Sequence, residues 1–490
     1  MTKKYFLQVE AVNIQSFVYD TNDISTIRGG SYVLMDTIKN QLVPWLAKKN
    51  FIPIATEASQ GLFSFEDGDN VDEVRQRVTA EVMTYLVTST ERHASFQVAV
   101  EPDEGDFPEI LQRLQARIRR QQLRWPTVPP PQFEATEQEG YLDGWRPGVV
   151  DYRVDPNVKG VKISRATDFR RRKGRAIKHQ IFEETSGKKS VENDEEWLIA
   201  RDLTLLAQDS TKGILDGKVA FLHVDGNGFG AIRYRHCTTP EQRTAFDKRV
   251  QDDIRKPFLR ALLTRALNDR DFQTRDAKGR LALRLEVLLW GGDEMTLIVP
   301  AWKGLEVLEL FYQQAQGKMF EGEPLTHRGA IIFCHHNAPI LLIKRLAEAL
   351  LERTKEDIAQ VDERDAAHYL ILESFDALGS SLDSFLTSYY SDRDGTTYPN
   401  LLLKAQELAD LKQNLHAIVN HAPKNKIFDI IETLQEGDQS DPEALMAIML
   451  ASVEPNHRNT VQDAIKNIVG SVPERWCLIA DLWDYAKEWK

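Results

Sequence analysis

Lys218-Val219-Ala220-Phe221-Leu222-His223-Val224-Asp225-Gly226-Asn227-Gly228-Phe229-Gly230 reads as an apolar strand that ends abruptly on a carboxylate and a glycine-rich turn. The alternation predicts a strand whose last residue, Asp225, projects at a sheet edge, and the glycines beyond it let phosphate groups approach the main chain. Farther along, Leu283, Leu285, Val287 and Leu289 alternate up to Gly291-Gly292-Asp293-Glu294, and Met295-Thr296-Leu297-Ile298-Val299 leads away from it. That pattern is a hairpin with a tight turn. Paired beside the first strand, it brings Asp225, Asp293 and Glu294 to one end of one sheet.

The surrounding elements extend the pattern. A long helix is predicted to begin near Pro240, a residue suited to a first helical turn. A helix from Gly304 to about Gln316, a strand from Arg328 to Cys334 and a helix from Ile340 to Lys355 follow the hairpin. The first hundred residues run in the same order: a strand at Tyr5 to Ala11, a helix from Ser31 to about Trp45 after Gly29-Gly30, and strands at Ile52 to Ala55 and Leu62 to Phe65. The recurrence of Val71, Val74, Val78, Val82 and Tyr85 then marks a helix, and Phe96, Val98 and Val100 mark a last strand. The fold class expected is α+β, with the ferredoxin-like order β-α-β-β-α-β occurring twice. Four domains follow: 1–125, a proline-interrupted and basic segment over 126–215, 216–374 with the acids, and a helical domain over 375–490.

At 490 residues the chain exceeds what a single core supports. It is 42% hydrophobic and 28% charged, with no apolar run near the roughly 20 residues that cross a bilayer. The start of the sequence leads into a strand pattern, so a cytoplasmic protein without membrane contact is expected. Cys237, Cys334 and Cys477 are far apart, which supports neither a disulfide framework nor a cysteine-rich zinc module. The formal charge of −12 argues against a surface that binds nucleic acid throughout.

Three carboxylates converging on a phosphate-accessible turn are the hard oxygen ligands that Mg²⁺ or Mn²⁺ requires. Two such ions, about 3.5 to 4 Å apart, can activate a hydroxyl and stabilise a pyrophosphate leaving group. The expected chemistry is attack of a ribose 3′- or 2′-hydroxyl on an α-phosphate. Asp225, Asp293 and Glu294 are the candidate catalytic and metal-binding residues. Gly226, Asn227, Gly228, Phe229, Gly291 and Gly292 are the candidate nucleotide contacts, with Gly226 also in the metal set. Either motif alone is an ordinary turn with solvated acids. Finding both on strands of one β-α-β-β unit is what raises them above that.

The stretches His223 to Gly230 and Leu288 to Glu294 resemble the large polymerase-like subunit of type III CRISPR effector complexes and its free-standing relatives, which share the Palm core of GGDEF cyclases. Val12 to Val18 with Arg28-Gly29-Gly30-Ser31-Tyr32 resembles the opening of the first, inactive Palm domain of those subunits, and His368 to Leu372 the end of the catalytic one. The resemblance implies synthesis of cyclic oligonucleotides, usually from ATP, as antiviral messengers. Asp225 and Asp293 match the family's metal-binding acids, and Gly291 and Gly292 its nucleotide-contacting turn. Glu294 departs from the second aspartate usual in the CRISPR subunits and agrees with the GGDEF cyclases. The sequence contains no His-Asp dipeptide, so a nuclease domain of the family's kind is not expected within it. Two alternatives stay open: an inactive RNA-binding scaffold subunit, and a diguanylate-cyclase-like enzyme using GTP.

Nine Lys or Arg against one acid, Asp168, make Lys159 to Lys178 the most basic window. It lies where the family has an inter-Palm domain, and guide RNA and other effector subunits are its candidate partners, an exposed charged loop being the ordinary explanation. Action alone, as a homodimer, is a further option. Lys355 ends a helix where related cyclases place a cation near the triphosphate, although compensation of the helix dipole explains it equally. His335 and His336 are adjacent on a strand and face opposite ways, which disfavours a shared metal. Trp476 and Trp483 are spaced for a helix face and core packing.

Overall fold

The computed structural model describes residues 2–56, 59–124, 132–134, 136–154, 159–178, 180, 182–183, 198–359, 364–373, 382–390, 401–435, 442–470 and 475–490. The proline-rich linker at 129–131 falls outside them.

The first block consists of β1 (Lys3–Val12), α1 (Ile24–Asp36), β2 (Ile52–Ala55), β3 (Gln60–Asp67), α2 (Val71–Ser89) and β4 (Ser95–Pro102), followed by α3 (Phe107–Arg124). Its sheet has the order β2-β3-β1-β4, with β1 antiparallel to both neighbours. One face packs on α1 and α2 through Tyr5, Leu7, Val9, Val78 and Val82, and the other receives Phe107, Ile110 and Leu114 of α3. Both faces of β1 are thus covered, with Tyr5, Leu7 and Val9 on one and Phe6 on the other.

The glycine pair does not precede the first helix, as the sequence suggested, but lies inside it. Asp23 caps α1 by accepting from the Thr26 amide at 3.0 Å, so the helix starts seven residues earlier than the expected Ser31. Its regular part stops at Asp36, a π-helical turn spans Thr37–Leu42, and Pro44 sits in the first turn of Val43–Ala47. The glycines are there because α4 (Arg165–Ile177) crosses at backbone contact. A Cβ on Gly29 would stand 1.8 Å from the Arg170 carbonyl oxygen, and one on Gly174 would stand 2.0 Å from that of Ser25.

The second block runs β5 (Lys218–Gly226), α5 (Phe229–His236), α6 (Pro240–Val250), α7 (Lys256–Asn268), β6 (Glu286–Gly291), β7 (Glu294–Pro300), α8 (Gly304–Ala315), β8 (His327–His335), α9 (Ile340–Ile358) and β9 (Ala366–Ile371). Pro240 occupies the first turn of α6, behind a reciprocal cap between Thr239 and Gln242. The sheet order β6-β7-β5-β8 repeats that of the first block. Two further strands widen it, β9 parallel to β8 and β10 (Leu402–Lys404) antiparallel to β9. The run Leu283 to Leu289, expected as one strand, is two. Leu281–Leu283 belongs to a separate three-stranded sheet, and β6 begins only at Glu286. Between them the buried Arg284 donates to the carbonyls of Gln273, Leu206 and Gln208, which draws the chain from one sheet into the other.

Beyond the second sheet the described residues are mainly helical. Trp476, Trp483 and Trp489 are all buried, and Trp489 donates to Glu309 at 2.9 Å. Among the described residues no helix is long and apolar enough to cross a membrane.

Candidate active site

β5 is the second sheet's counterpart of the central β1, and its last residues emerge between β7 and β8. Register places Val224 opposite Met295 and Asp225 opposite Arg328, while Gly291 pairs with Glu294 across a turn of Gly292 and Asp293. The structure therefore brings Asp225, Asp293 and Glu294 to the same end of neighbouring strands. Gly292 has φ +50°, a left-handed conformation that glycine adopts without strain. Gly226 has no space for a side chain, since a Cβ there would lie 2.7 Å from the Phe229 ring.

Charge is crowded here. Burial first, and then the Asp293 carboxylate, push the Asp225 carboxyl up to about 6, against the pull of Arg328. The Arg328 guanidinium donates to Asp225 Oδ2 at 2.5 Å. Glu294 keeps 42% of its side chain accessible, yet partial burial lifts its carboxyl to about 7. Lys344 works against that rise, and Asp225, Asp293 and Glu348 add to it. Behind the acids His223 is nearly fully buried and held neutral, its pKa lowered to about 3 by burial and then by Lys344 and Arg328. Its Nδ1 is 2.9 Å from Thr296 Oγ1, and its Nε2 is 3.5 Å from Glu294 Oε1.

Several of these groups went unrecognised in the sequence. Lys344 sits on the otherwise apolar face of α9, with its Nζ 4.4 Å from the ring centroid of Tyr19. Tyr19 comes from the first block. Burial, followed by the charges of Glu294 and Glu348, pushes its phenol well above the ordinary range. Arg255 ends a π-helical turn, Gln251–Arg255, between α6 and α7; it stacks on Trp290 and donates to the carbonyls of Gly292 and Glu294, the latter at 2.8 Å. A lone lysine in an apolar helix and a histidine in an apolar strand were the available signals. Arg255 and Tyr19 left none, because their partners are distant in the chain.

Other expected contacts are placed differently. Phe229 is 1% exposed and meets Phe246 and His327 edge-on, so its ring belongs to the core beneath the turn rather than to a nucleotide-facing surface. Asn227 is a brace, donating to Thr326 Oγ1 at 3.2 Å and to the Arg364 carbonyl at 2.7 Å. Gly228, at φ +65°, opens α5. Lys355 lies three turns beyond Lys344, exposed and 3.3 Å from Glu352. Among the described residues no three His, Cys, Asp or Glu side chains form a ready-made metal cluster. The donors nevertheless suit a hard divalent ion: two aspartate carboxylates and the Gly226 main chain supply hard oxygen atoms at one strand end. Such an ion would hold to Asp225 and Asp293 and need phosphate oxygens to complete its shell.

Together these features define a mixed α+β chain with two sheets that share one order over four antiparallel strands, the second bearing an acid-lined strand end. The same fold is seen in structures of a Csm1-Csm4 cassette. With pppApApA the TM-score is 0.56 at 12% identity, over 99% of this chain and 69% of that one. With cA4 it is 0.53 at 12% identity, over 98% and 70%. The Csm1-Csm4 subcomplex of the type III-A CRISPR-Csm interference complex gives 0.54 at 12% identity, over 96% and 70%. The structural neighbours are thus type III CRISPR-Csm subunits, in keeping with the resemblance carried by the two glycine-rich motifs. No protein-family model matches this chain, and no curated protein does.

Proposed function

We propose that this protein is a metal-dependent nucleotidyltransferase that joins nucleoside triphosphates into cyclic oligonucleotides within a CRISPR-type defence system. The observation that carries the reading is the convergence of Asp225, Asp293 and Glu294 at one sheet end, where glycine leaves the main chain accessible. Structures of the same fold hold ATP, pppApApA, cA3 and cA4, which favours ATP as the substrate.

In the proposed reaction a ribose hydroxyl oxygen bonds to an α-phosphorus, the α–β anhydride bond breaks, pyrophosphate departs and the hydroxyl proton passes to solvent. A divalent ion on Asp225 and Asp293 would supply charge neutralisation on the phosphates. Arg328 orients Asp225, and Arg255 fixes the carbonyls on both sides of Asp293, so the two acids meet the substrate in a set geometry. Lys344 offsets the negative charge around Glu294. A Csm4-like subunit and guide RNA are the proposed partners, the RNA meeting the exposed Lys173 and Arg175 of α4.

Incubation with each labelled triphosphate and Mg²⁺ or Mn²⁺ tests the reading. Cyclic oligoadenylate from ATP is expected, with at least a hundredfold loss in Asp293→Ala. The proposal is overturned if no triphosphate yields product under activated conditions and Asp293→Ala behaves as the parent does. One observation favours the scaffold reading instead: Arg328 already pairs with Asp225. Copurifying RNA without turnover would decide for it, and a product made from GTP alone would decide for a diguanylate-type enzyme.

A further inference from the structure

A cleft of about 640 Å³ opens beside the first block, and none of its lining comes from the sheet that bears the acids. Its walls come from the end of β1, the turn between α2 and β4, residues 132–134 and 137–149 and the start of α4. The size is that of a site for one small ligand, within the roughly 300–1,000 Å³ such sites occupy.

The chemistry of the walls is divided. Arg92 and Arg165 are exposed and, among the described residues, neither makes an ion pair. Arg146, also in the lining, is already engaged with Asp20 and Asp143, and its guanidinium lies 3.8 Å over the partly buried Trp145 ring. His93 also lines the cleft; its pKa is lowered by burial, with Arg170, Arg146 and Arg172 adding to the fall, so this wall is positive without a charged imidazole. Phe133, 43% exposed, lies among the same lining residues as Trp145. Glu134 and Glu137 complete the lining, tied together by a 2.9 Å hydrogen bond from the Glu134 amide to Glu137.

Free cations, partly exposed aromatic rings and a pair of carboxylates are complementary to one ligand class. Guanidinium groups take phosphate oxygens, aromatic rings take a base, and carboxylates accept hydrogen bonds from ribose hydroxyls. Inorganic phosphate would leave most of the volume unfilled, and an acidic peptide would meet repulsion from Glu134 and Glu137.

We propose that this cleft is a second, non-catalytic site for a nucleoside phosphate, bound through Arg92 and Arg165 with its base against Trp145 and Phe133. The site is separate from the acid cluster, so it stands or falls independently of the reaction proposed there.

Photolabelling of the full chain with 8-azido-ATP, followed by peptide mapping, tests the assignment. Labelling within 132–166 is expected in the parent and in Asp225→Asn/Asp293→Asn, and at least a tenfold reduction is expected in Arg92→Ser/Arg165→Ser. Both arginines are exposed, so an unchanged melting temperature would show that the double variant is folded. Excess unlabelled ADP should abolish the label. Label confined to the second block, or undiminished at 132–166 in the arginine variant, would overturn the proposal. So would displacement by a short oligoribonucleotide but not by ADP, which would make the cleft an RNA contact.

Discussion

Glu294 shows how one position balances charge against burial. Its carboxyl is raised from 4.5 to about 7, by burial first and then by the acids around it, against Lys344. The unfolded chain therefore ionises this group more readily than the folded one. The folded state carries no penalty below pH 4.5; the penalty grows as pH rises and is complete above about 7. With the side chain 42% accessible, solvent screening reduces the effect to about 1 kcal/mol. Glu294→Gln should accordingly melt at the same temperature as the parent near pH 4.5 and about 2 °C higher at pH 8, in metal-free buffer. Equal melting temperatures at both pH values would show that the crowding is not felt.

At the scale of elements, two features of the same kind recur. In each block the first crossover helix contains a π-helical turn, Thr37–Leu42 and Gln251–Arg255, and the second of these delivers Arg255 to the carbonyls of the acid-bearing turn. Helix crossing is the other. Gly29 and Gly174 let α1 and α4 touch along their backbones, and the buried Arg170 then pairs with Asp20 at 2.8 Å. Gly29→Ala sets a methyl group against a carbonyl oxygen that no side-chain rotation can move. The expected cost is about 3 kcal/mol, read as a lower urea midpoint, whereas Gly144→Ala, in open space, should cost much less. Gly144 has φ +66°, so strain alone serves as its control.

Across the whole molecule, a buried ionic cluster ties three segments together. Arg28 of α1 donates to both oxygens of Glu286 at 2.5 and 2.7 Å, and Lys178 lies 3.0 Å from the same carboxylate. Burial alone would raise the Glu286 carboxyl, but Arg28 and Lys178 outweigh it and hold it below its ordinary value. Glu286 opens β6, the strand that ends at the Gly291-Gly292 turn, so the first block and the basic helix are anchored to the hairpin that presents Asp293. Glu286→Ala leaves two cations buried without their partner, a loss of about 3–5 kcal/mol. A destabilised, less cooperative unfolding transition is expected in denaturant, together with reduced nucleotide turnover; an unchanged transition would mean that the cluster does not couple the segments.

The alternating apolar residues of β1, β5 and β7, the turn at Gly291-Gly292 and the order of elements were legible in the sequence because they are local: strand period, turn chemistry and helix period need only near neighbours. The three acids were legible for the same reason, each standing at the end of a readable strand. The placement of Gly29-Gly30 inside a helix was not, since the cause is a second helix more than a hundred residues away. Nor was the break between Leu283 and Glu286, which depends on carbonyls gathered around Arg284, nor the burial of Phe229 under its own turn. The sequence by itself determined the strands that carry the acids and where their carboxylates fall. Only the tertiary structure decided which side chains from distant segments, Tyr19, Arg255, Arg328 and Lys344, surround those carboxylates, because burial and Coulomb interactions depend on distance in space.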